Sequence, residues 1–436
     1  MHIMYFTERP YHPVPENDII GLSSFFGISN RSFDPARGAQ LYHRYLDEKL
    51  YAEEMGFDGM MLNEHHGTPF CLGAVMDVEA AILARITKRV KIVLLGNPLP
   101  TVGNPLRLAE ELAEIDMISG GRLVSGWVRG AGSEQFANNA NPAYNRELFN
   151  EAHDLIIQAW TRPGPFRFEG KHFHYRFVNP WVLPLQKPHP QVWIPGLVSP
   201  ETIVWCAKRR YPYIALATFL APTVEIWNMY AAAAAQEGYQ AGPENFGYLQ
   251  KVFVAETEAK AQELGKGYLF GGGMSNFARH EWMFPPGYNS KDATRRLARQ
   301  LSDPDAAEGQ STLPLFSKDV VDVEAARRAI YDSYQPAQDA LQIIVGTPKT
   351  VIKKIRKVLE VLRPGIFAIW HNEGPIGHED TMTSIRLLGQ EVLPAMREMS
   401  KELGLVDPFE RKVGSRPLPP SGKPDPVAQA ELLASV

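Results

Sequence analysis

An acid and two adjacent histidines, Glu64, His65 and His66, end a short apolar run and are the residues of this sequence best suited to chemistry. A neutral imidazole near pH 7 donates hydrogen bonds and exchanges protons, which few other side chains do at that pH. Successive side chains of a strand point to opposite faces, so both rings enter one pocket only if the backbone has turned. We therefore expect one of the two histidines to act and the other to support it. The alternative is that either ring only buttresses the strand end.

The strand that precedes these groups spans residues 57–62, and a helix over residues 42–55, which Gly56 ends, comes before it. The length and apolarity of segment 57–62 are typical of a strand buried on both faces, as in a parallel sheet covered by helices. Polar groups that follow such a strand lie at its carboxyl end, where α/β barrels gather their active sites. The sequence thus predicts an active site at this end of a parallel sheet.

Strand and helix alternate along most of the chain. The predicted strands cover residues 3–7, 57–62, 90–95, 122–128, 191–195, 213–217, 248–255 and 365–370. The predicted helices cover residues 42–55, 77–87, 105–118, 145–160, 201–208, 224–236, 260–270, 349–362 and 381–399. Strands separated by helices in this way predict an α/β fold, a (β/α)8 TIM barrel with insertions.

Three segments depart from the alternation. An excursion over residues 8–34 carries aromatic side chains, so it either forms part of the pocket mouth or is merely laid over the barrel. An insertion at about residues 271–339 is rich in Gly, Pro, Asp and Ser. We assign residues 1–403 to the barrel domain and residues 404–436 to a proline-rich tail, which is either disordered or an extended arm over a neighbouring surface.

Composition and charge narrow the class of protein. Hydrophobic residues make up 44% and charged residues 22% of the 436 positions, as in a soluble globular enzyme. The formal net charge of -4 gives no electrostatic footprint for nucleic acid. Cys71 and Cys206 are too few for a disulfide framework or a cysteine-based zinc site. Residues 1–10 lack a signal-peptide pattern and no apolar run is long enough to span a membrane, so we expect a cytoplasmic protein.

Several short motifs occur in a fixed order along about residues 1–400. They are Gly56-Phe57-Asp58 before Glu64-His65-His66, Asn97-Pro98-Leu99-Pro100-Thr101, Arg129-Gly130, His189-Pro190, Gly346-Thr347-Pro348 and Val392-Leu393-Pro394. No single motif is specific, but the ordered set resembles the bacterial luciferase-like flavin-dependent monooxygenases.

The resemblance implies a barrel that binds reduced FMN, reacts it with dioxygen and, through a C4a-(hydro)peroxyflavin, transfers one oxygen atom to a substrate. Apolar and aromatic side chains in the excursion and the insertion suggest a small apolar or aromatic organic substrate. Hydroxylation, Baeyer–Villiger insertion and carbon–heteroatom cleavage all start from that intermediate. Because the sequence shows no NAD(P)H domain, we expect a separate flavin reductase as partner. The apolar helix 105–118 suggests a homodimer or larger homo-oligomer.

The resemblance also implies roles for residues near the first motif. His65 matches the first histidine of the family's Glu-His-His motif, which stabilises the oxygenated flavin or moves a proton for it. Asn63 is expected to bind the flavin. Asn97 is expected to contact flavin or substrate, although an asparagine before a proline is equally typical of a turn. Leu95 and Gly96 match the place where the family's backbone approaches the flavin ring, often through a non-proline cis peptide.

A phosphate site is implied farther along the chain. Arg129 resembles the family arginine that pairs with the FMN phosphate, for which its planar fork is suited. Gly196, Val198, Ser199 and Thr202 lie where a loop leads into a helix, and backbone N–H groups and hydroxyls there favour phosphate binding. Ser199 would also serve as a plain N-cap. This loop departs from the family pattern, since bacterial luciferase has an acidic residue just before the serine.

Three other classes share features with this sequence. A deazaflavin-dependent oxidoreductase transfers hydride without activating oxygen, and the Glu64-His65-His66 motif argues against it. A flavin-binding protein without catalysis is disfavoured by the same motif. A metal-dependent hydrolase needs several ligands from different strands, and only His371 and His378 would assist the adjacent pair, so we expect no metal site. Gly130-Ala131-Gly132 resembles a dinucleotide fingerprint, but Gln135 replaces the third glycine and no helix is expected to begin there.

Overall fold

A computed structural model of the protein describes residues 1–15, 18, 27–197, 199–216, 220–268, 285–290, 324, 328, 331–372 and 374–409. Several predicted regions lie partly outside these residues: positions 16–17 and 19–26 of the excursion, most of the insertion 271–339, and tail residues 410–436. The predicted phosphate-loop residue Val198 also lies outside them.

Strands run through the described residues from the first to the last third of the chain. In chain order they are β1 His2–Thr7, β2 Gly59–Leu62, β3 Lys91–Pro98, β4 Leu123–Val128, β5 Phe166–Glu169, β6 His174–Val178, β7 Gln191–Gly196, β8 Tyr213–Ala215, β9 Phe246–Val254, β10 Ile343–Gly346 and β11 Ile366–Asn372.

Eight of these strands close a parallel barrel in the order β1, β2, β3, β4, β7, β8, β9 and β11, with β11 pairing back onto β1. Each predicted strand falls on one of them, and the predicted (β/α)8 fold is confirmed. Strand β10 pairs in parallel with the end of β9, and β5 and β6 form a separate antiparallel pair. These three strands were not predicted from the sequence because they are short, and the β5–β6 pair is largely exposed.

Helices follow most of the barrel strands. They are α1 Pro35–Glu54, α2 Met76–Ile86, α3 Pro105–Ser119, α4 Gly132–Ala137, α5 Asn145–Thr161, α6 Pro200–Arg209, α7 Leu220–Gln236, α8 Glu258–Gly265, α9 Tyr334–Asp339, α10 Pro348–Leu362, α11 His378–Leu387 and α12 Leu393–Leu403. Among the described residues, none of the helices has both the length and the apolarity that crossing a bilayer requires.

The ends of α3 show how local sequence sets a helix. The side chain of Asn104 caps its first turn by accepting the backbone N–H of Arg107 at 3.1 Å, and Pro105 occupies the first helical position. Gly120 ends the helix in the left-handed conformation, with φ at 67°. Leu112 and its neighbours at helical spacing then face the core, as the sequence pattern predicts.

A separate apolar cluster fills the inside of the barrel. Its buried members alternate along the strands, as expected of one strand face: Met4, Phe6, Met61, Val93, Leu95, Val124, Trp193, Ile214, Leu249, Ile366 and Ala368. Because these side chains pack the lumen, polar chemistry is confined to the barrel ends.

The start of the predicted tail packs against the amino-terminal end of the barrel. The ring of Phe409 lies 5.0 Å from that of His2 and 5.7 Å from that of Trp193, centroid to centroid. The ammonium of Lys91 lies 4.6 Å from the centre of the same ring. The tail was expected to be either disordered or an extended arm over a neighbouring surface. Its described part, residues 404–409, packs on a neighbouring surface.

We expect Phe409→Ala to lower the free energy of unfolding by about 2 kcal/mol, roughly half the effect of deleting a fully buried phenylalanine ring. Urea unfolding followed by tryptophan fluorescence measures the change. Phe177→Ala, which removes a ring from a side chain that is 63% exposed, is the matched control. Equal unfolding midpoints for the two variants would contradict a packing role for Phe409.

Candidate active site

His65 lies at the carboxyl end of the barrel, where side chains that follow three strands meet. Its Nδ1 is 2.9 Å from Oε1 of Glu134, which follows β4. Its Nε2 is 3.9 Å from Oε2 of Glu8, which follows β1. The ring also makes an edge contact with Phe70, at 5.6 Å between centroids. The side chain of His65 is 23% exposed, so its imidazole remains accessible from the mouth of the barrel.

His66 takes part in a different set of contacts. Its Nε2 is 3.1 Å from Oε1 of Glu64, and the other oxygen of Glu64 accepts the backbone N–H of Met76 at 3.0 Å, where α2 begins. The backbone N–H of His66 donates to Glu134 at 3.1 Å. His66 thus helps to hold the loop and the helix start, whereas the ring of His65 lies between two carboxylates.

Both histidines gain affinity for a proton from these carboxylates. Burial alone lowers the pKa of His65, but the hydrogen bond to Glu134 and the negative charges of Glu8 and Glu134 prevail, so its pKa is raised above the ordinary value. The pKa of His66 is raised chiefly by its hydrogen bond to Glu64. Both rings therefore stay protonated to higher pH than a free histidine.

Glu134 lies on a helix that was not predicted from the sequence. The expectation that no helix begins at Gly130-Ala131-Gly132 is wrong, because α4 starts at Gly132 and carries Glu134 in its first turn. An acidic side chain is favourable at that end of a helix, and this was the signal that the sequence offered. The helix holds the carboxylate, which is only 3% exposed, against His65. Gln135 still stands where a dinucleotide fingerprint has its third glycine.

A buried group of charged side chains lies beneath the site and contacts Asn63. Arg9 is fully buried and donates from one nitrogen to both Oδ1 and the carbonyl oxygen of Asn63, each at 2.6 Å. Its other terminal nitrogen bonds Glu79 at 2.5 Å, and Lys49 lies 2.9 Å from the same carboxylate. Burial raises the pKa of Glu79, but these two cations outweigh that effect and hold it at about 2.

Both polar atoms of the Asn63 side chain are therefore engaged by the protein, since Nδ2 donates to Glu8. Contact between Asn63 and a flavin stays a prediction, while its positioning of Glu8 is directly visible. Glu8 and Arg9 were missed in the sequence, although they follow the first predicted strand directly. The rule that polar groups after a barrel strand lie at the active end would have found them.

Asn97 has one engaged and one orphaned polar atom. Its Nδ2 donates to both oxygens of Asp77 at 3.2 Å. Its Oδ1 is buried and has no hydrogen-bond partner within the described part of the chain. Burial raises the pKa of Asp77 to about 7, with the Asn97 hydrogen bond acting against it. A buried acceptor without a partner is costly unless a ligand satisfies it, and a flavin ring carries an N–H donor.

Leu95 and Gly96 lie at the end of β3, with Leu95 facing the barrel interior. A Cβ added at Gly96 would lie 2.5 Å from a methyl carbon of Val128, so crowding by β4 accounts for the glycine. The expected non-proline cis peptide is absent at this position; the cis bonds of the described chain precede Pro165 and Pro188. A register shift between β3 and β4 at this point redirects the strand with trans peptides instead.

Four polar side chains gather beside the start of α6. Arg146 donates to the hydroxyl of Ser199 at 3.2 Å, and the hydroxyl of Thr202 donates to the same oxygen at 3.2 Å. Arg129 donates to Asn145 at 3.3 Å, and its charge acts on Arg146. Burial, with Arg129 adding to it, lowers the pKa of Arg146. Two guanidinium groups and a helix start favour a phosphate here, while the carboxylate of Glu201, which accepts the Ser199 hydroxyl, opposes it.

Arg146, which lies in the first turn of α5, was not among the predicted site residues. A cation at that end of a helix opposes the helix dipole, and this unfavourable placement was the available signal. The acidic residue of this loop, Glu201, follows Ser199, whereas bacterial luciferase has one before the serine. Glu201 accepts the Ser199 hydroxyl at 3.1 Å and lies 3.8 Å from Arg146. At Gly196 a Cβ would lie 2.5 Å from the hydroxyl oxygen of Tyr213, so the neighbouring strand requires the glycine.

The two histidines considered as metal ligands lie outside this constellation. His371 is fully buried, its Nδ1 is 3.4 Å from the hydroxyl of Tyr5, and burial lowers its pKa to about 3. Nδ1 of His378 is 3.0 Å from Oε1 of Glu48. Within the residues that the structure describes, no three His, Cys, Asp or Glu side chains are grouped as metal ligands.

Arg129, Arg146 and the start of α6 thus fit a flavin phosphate. The buried Oδ1 of Asn97 offers an acceptor to a flavin ring. Arg129 lies at the end of β4 and Glu134 on the helix that follows it, so the phosphate-type cluster and the His65 cluster share one end of the barrel. Phosphate-binding groups and an imidazole at one barrel end are compatible with a flavin enzyme.

Comparison with known proteins agrees with this class. The family model described as luciferase-like monooxygenase matches residues 24–362, and the chain belongs to that family. It is 26% identical over 204 residues to the alkanal monooxygenase alpha chain of Photobacterium leiognathi, covering 46% of this chain and 56% of that protein. It is 28% identical over 174 residues to the oxygenase component of the flavin-dependent trigonelline monooxygenase of Acinetobacter baylyi, covering 39% and 48%. These alignments span about half the length of the curated relatives.

Solved structures share the fold. The oxygenating constituent of 3,6-diketocamphane monooxygenase from Pseudomonas putida, in complex with FMN, superposes with a TM-score of 0.62 at 19% identity, over 90% of this chain and 97% of that one. An F420-dependent secondary alcohol dehydrogenase superposes with a TM-score of 0.59 at 14% identity, over 91% and 99%. At these identities the likeness extends to the fold alone.

Proposed function

We propose that this chain is the oxygenase component of a two-component flavin monooxygenase, which uses reduced FMN and dioxygen to oxygenate a small apolar or aromatic molecule. The observation that carries the proposal is the placement of His65, held by Glu134, at the same barrel end as the Arg129, Arg146 and Ser199 cluster. A phosphate anchor and a proton-exchanging imidazole on one barrel face are what this reaction needs.

Reduced flavin, when bound, supplies the electrons that activate dioxygen, so that one oxygen atom enters the substrate and the other leaves as water. The chain's own groups then have separate tasks. Arg129 and Arg146 neutralise the phosphate, and the Oδ1 of Asn97 is available to a ring N–H. Glu134 engages Nδ1 of His65, and Nε2, which lies 3.9 Å from Glu8, is the nitrogen proposed to hold a proton toward the site.

Aromatic side chains beside His65 support an apolar or aromatic substrate. Trp370 contacts Phe70 at 6.4 Å and Phe6 at 5.5 Å between ring centroids, and Phe70 in turn contacts His65. The ammonium of Lys251 lies 4.5 Å from the centre of the Trp370 ring. Aromatic side chains beside a few convergent polar groups are typical of sites for small organic molecules.

The test is to mix the protein with reduced FMN without oxygen, admit oxygen, and follow the return of oxidised flavin with candidate aromatic substrates. Oxygenated product formed in proportion to flavin oxidised supports the proposal. Protein that binds a reduced deazaflavin and not reduced FMN, and that consumes no oxygen, would overturn it in favour of a hydride-transferring enzyme.

The partner in this proposal is a separate flavin reductase, in keeping with the name of the Acinetobacter baylyi relative as an oxygenase component. The protein alone should oxidise no NADH, and adding a flavin reductase with NADH and FMN should start oxygen uptake. We also place the protein in the cytoplasm, since Cys71 and Cys206 are both unpaired and buried.

A homodimer is part of the proposal. The dimer surface expected on helix 105–118 needs revision, because most apolar residues of α3 lie in the core. Exposed apolar side chains instead line α2 and the end of α3: Val75, Val78, Ile82, Ile86, Met117 and Ile118. Large exposed apolar patches mark protein interfaces, and this one suits a second copy of the chain related by a two-fold axis.

We expect Val78→Glu to raise the dimer dissociation constant by roughly tenfold or more, because it buries a charge in an apolar interface. Size-exclusion chromatography with light scattering at micromolar concentration measures the shift toward monomer. Tyr331→Glu alters a similarly exposed aromatic residue near α9, which lies beside β9 and β10 on the other side of the barrel, and should leave the dimer intact. A parent protein that is monomeric throughout would refute the dimer.

A further inference from the structure

His65 lies between two carboxylates, and the proposed function uses only one of them. Glu134 engages Nδ1 at 2.9 Å, whereas Oε2 of Glu8 is 3.9 Å from Nε2, the nitrogen that would serve the reaction. Glu8 is 5% exposed, although a buried carboxylate is unfavourable without compensation. Its position beside Nε2 therefore calls for a role.

Glu8 is held in place by a chain of buried contacts. The amide nitrogen of Asn63 donates to Oε2 of Glu8 at 2.5 Å, and Arg9 fixes Asn63 through its Oδ1 at 2.6 Å. Arg9 is in turn bonded to Glu79 and has a left-handed backbone with φ at 55°, which an L side chain rarely adopts. Strained residues that the surroundings hold in place are found mainly at functional sites.

We propose that Glu8 is a positioning residue for His65, whose carboxylate keeps a proton on Nε2, the imidazole nitrogen that Glu134 does not engage. The inference rests on the proposed function, in which Nε2 gives a proton to an oxygen atom in the site. With Glu8 ionised, Nε2 keeps its proton at higher pH. When that proton passes to the oxygen atom, Nε2 is left with its lone pair and is reprotonated from solvent.

The charges around this pair come from several elements. Glu134 on α4 bonds Nδ1 of His65, the charge of His65 acts on the neighbouring His66, and Arg9 acts on both His65 and Glu8. Lys251 on β9 acts on Glu8. Burial raises the pKa of Glu8, and the charges of His65 and Arg9 and the hydrogen bond from Asn63 act against it. Because Glu8 and His65 act on each other across 3.9 Å, removing the charge of Glu8 should change the titration of His65.

The test is an NMR titration of the imidazole C–H signals in the protein without flavin. His65 is assigned by the signal lost in His65→Ala, among 12 histidines. Glu8→Gln keeps an acceptor for Asn63 but removes the negative charge, so the cationic imidazole is less favoured and its midpoint falls. We expect the proton affinity of His65 to drop roughly tenfold, about one pH unit.

Two further variants separate charge from structure. Glu8→Asp retains a carboxylate and should keep the His65 midpoint above that of Glu8→Gln. Glu64→Gln should shift the signal of His66 and leave that of His65 nearly unchanged. A His65 midpoint that does not move in Glu8→Gln, or that moves equally in Glu8→Gln and Glu8→Asp, would overturn the role of Glu8.

A second readout connects this role to the reaction. In Glu8→Gln, the pH at which flavin oxidation shifts from substrate oxygenation to release of hydrogen peroxide should fall together with the NMR midpoint. The NMR experiment needs no flavin and therefore stands if the proposed function fails. If the midpoint shifts but no oxygenation occurs under any condition, the proposed function fails while the coupling of Glu8 to His65 holds.

Discussion

His65→Ala should bind FMN as the parent does, yet lose oxygenation of substrate and release nearly all the oxygen consumed as hydrogen peroxide. In the proposed function the imidazole is the proton-exchanging group of the site, and a positioned general acid contributes roughly 100-fold or more to a rate. Flavin binding should survive, because the phosphate contacts that we propose involve Arg129, Arg146 and Ser199 and not this loop. Stopped-flow absorbance of the flavin, with peroxide assayed in parallel, measures both effects.

The pH dependence gives an independent check. Because the carboxylates raise the pKa of His65, its contribution should be present below that raised value and should be lost as pH rises through it. His66→Gln is the matched control, since the His66 ring contacts Glu64 and not Glu8. If His66→Gln reproduced the peroxide release and His65→Ala did not, the two histidines would have exchanged roles.

Arg129→Ala should weaken binding of FMN by roughly tenfold to a hundredfold while leaving riboflavin binding unchanged. Hydrogen bonds to charged groups contribute about 1.5 to 3 kcal/mol, which corresponds to that range of dissociation constants. Riboflavin lacks the phosphate, so the comparison isolates the phosphate contact from any change in the ring site. Quenching of flavin fluorescence measures both ligands on the same protein.

Arg146→Ala should behave in the same way, and Arg129→Lys should give an intermediate loss because it keeps the charge without the planar fork. Arg107→Ala removes an arginine whose side chain is 74% exposed and should have no effect on either ligand. Equal weakening of FMN and riboflavin in Arg129→Ala would mean that this arginine supports the loop and not the phosphate.

Much of the fold was readable from local pattern. Apolar runs of strand length, helical spacing of apolar residues and the caps of α3 act within a few residues of one another, so the sequence alone places most elements. The short elements α4 and β10 were not predicted, because the six residues of α4 and the four of β10 carry too little periodicity. The sequence also did not show why position 96 is a glycine. In the structure Val128 of the neighbouring strand, and not a ligand, crowds Gly96.

The sequence by itself determined the barrel, the motif that carries His65, and Arg129 at the end of its strand, because each depends on neighbours along the chain. Only the tertiary structure decided which groups surround that imidazole. Glu134 and Glu8 lie 69 and 57 positions from His65 in the chain and reach it because parallel strands bring their carboxyl ends together. Arg146 joins Ser199 for the same reason. Closure of the barrel thus converts separate loops into one site.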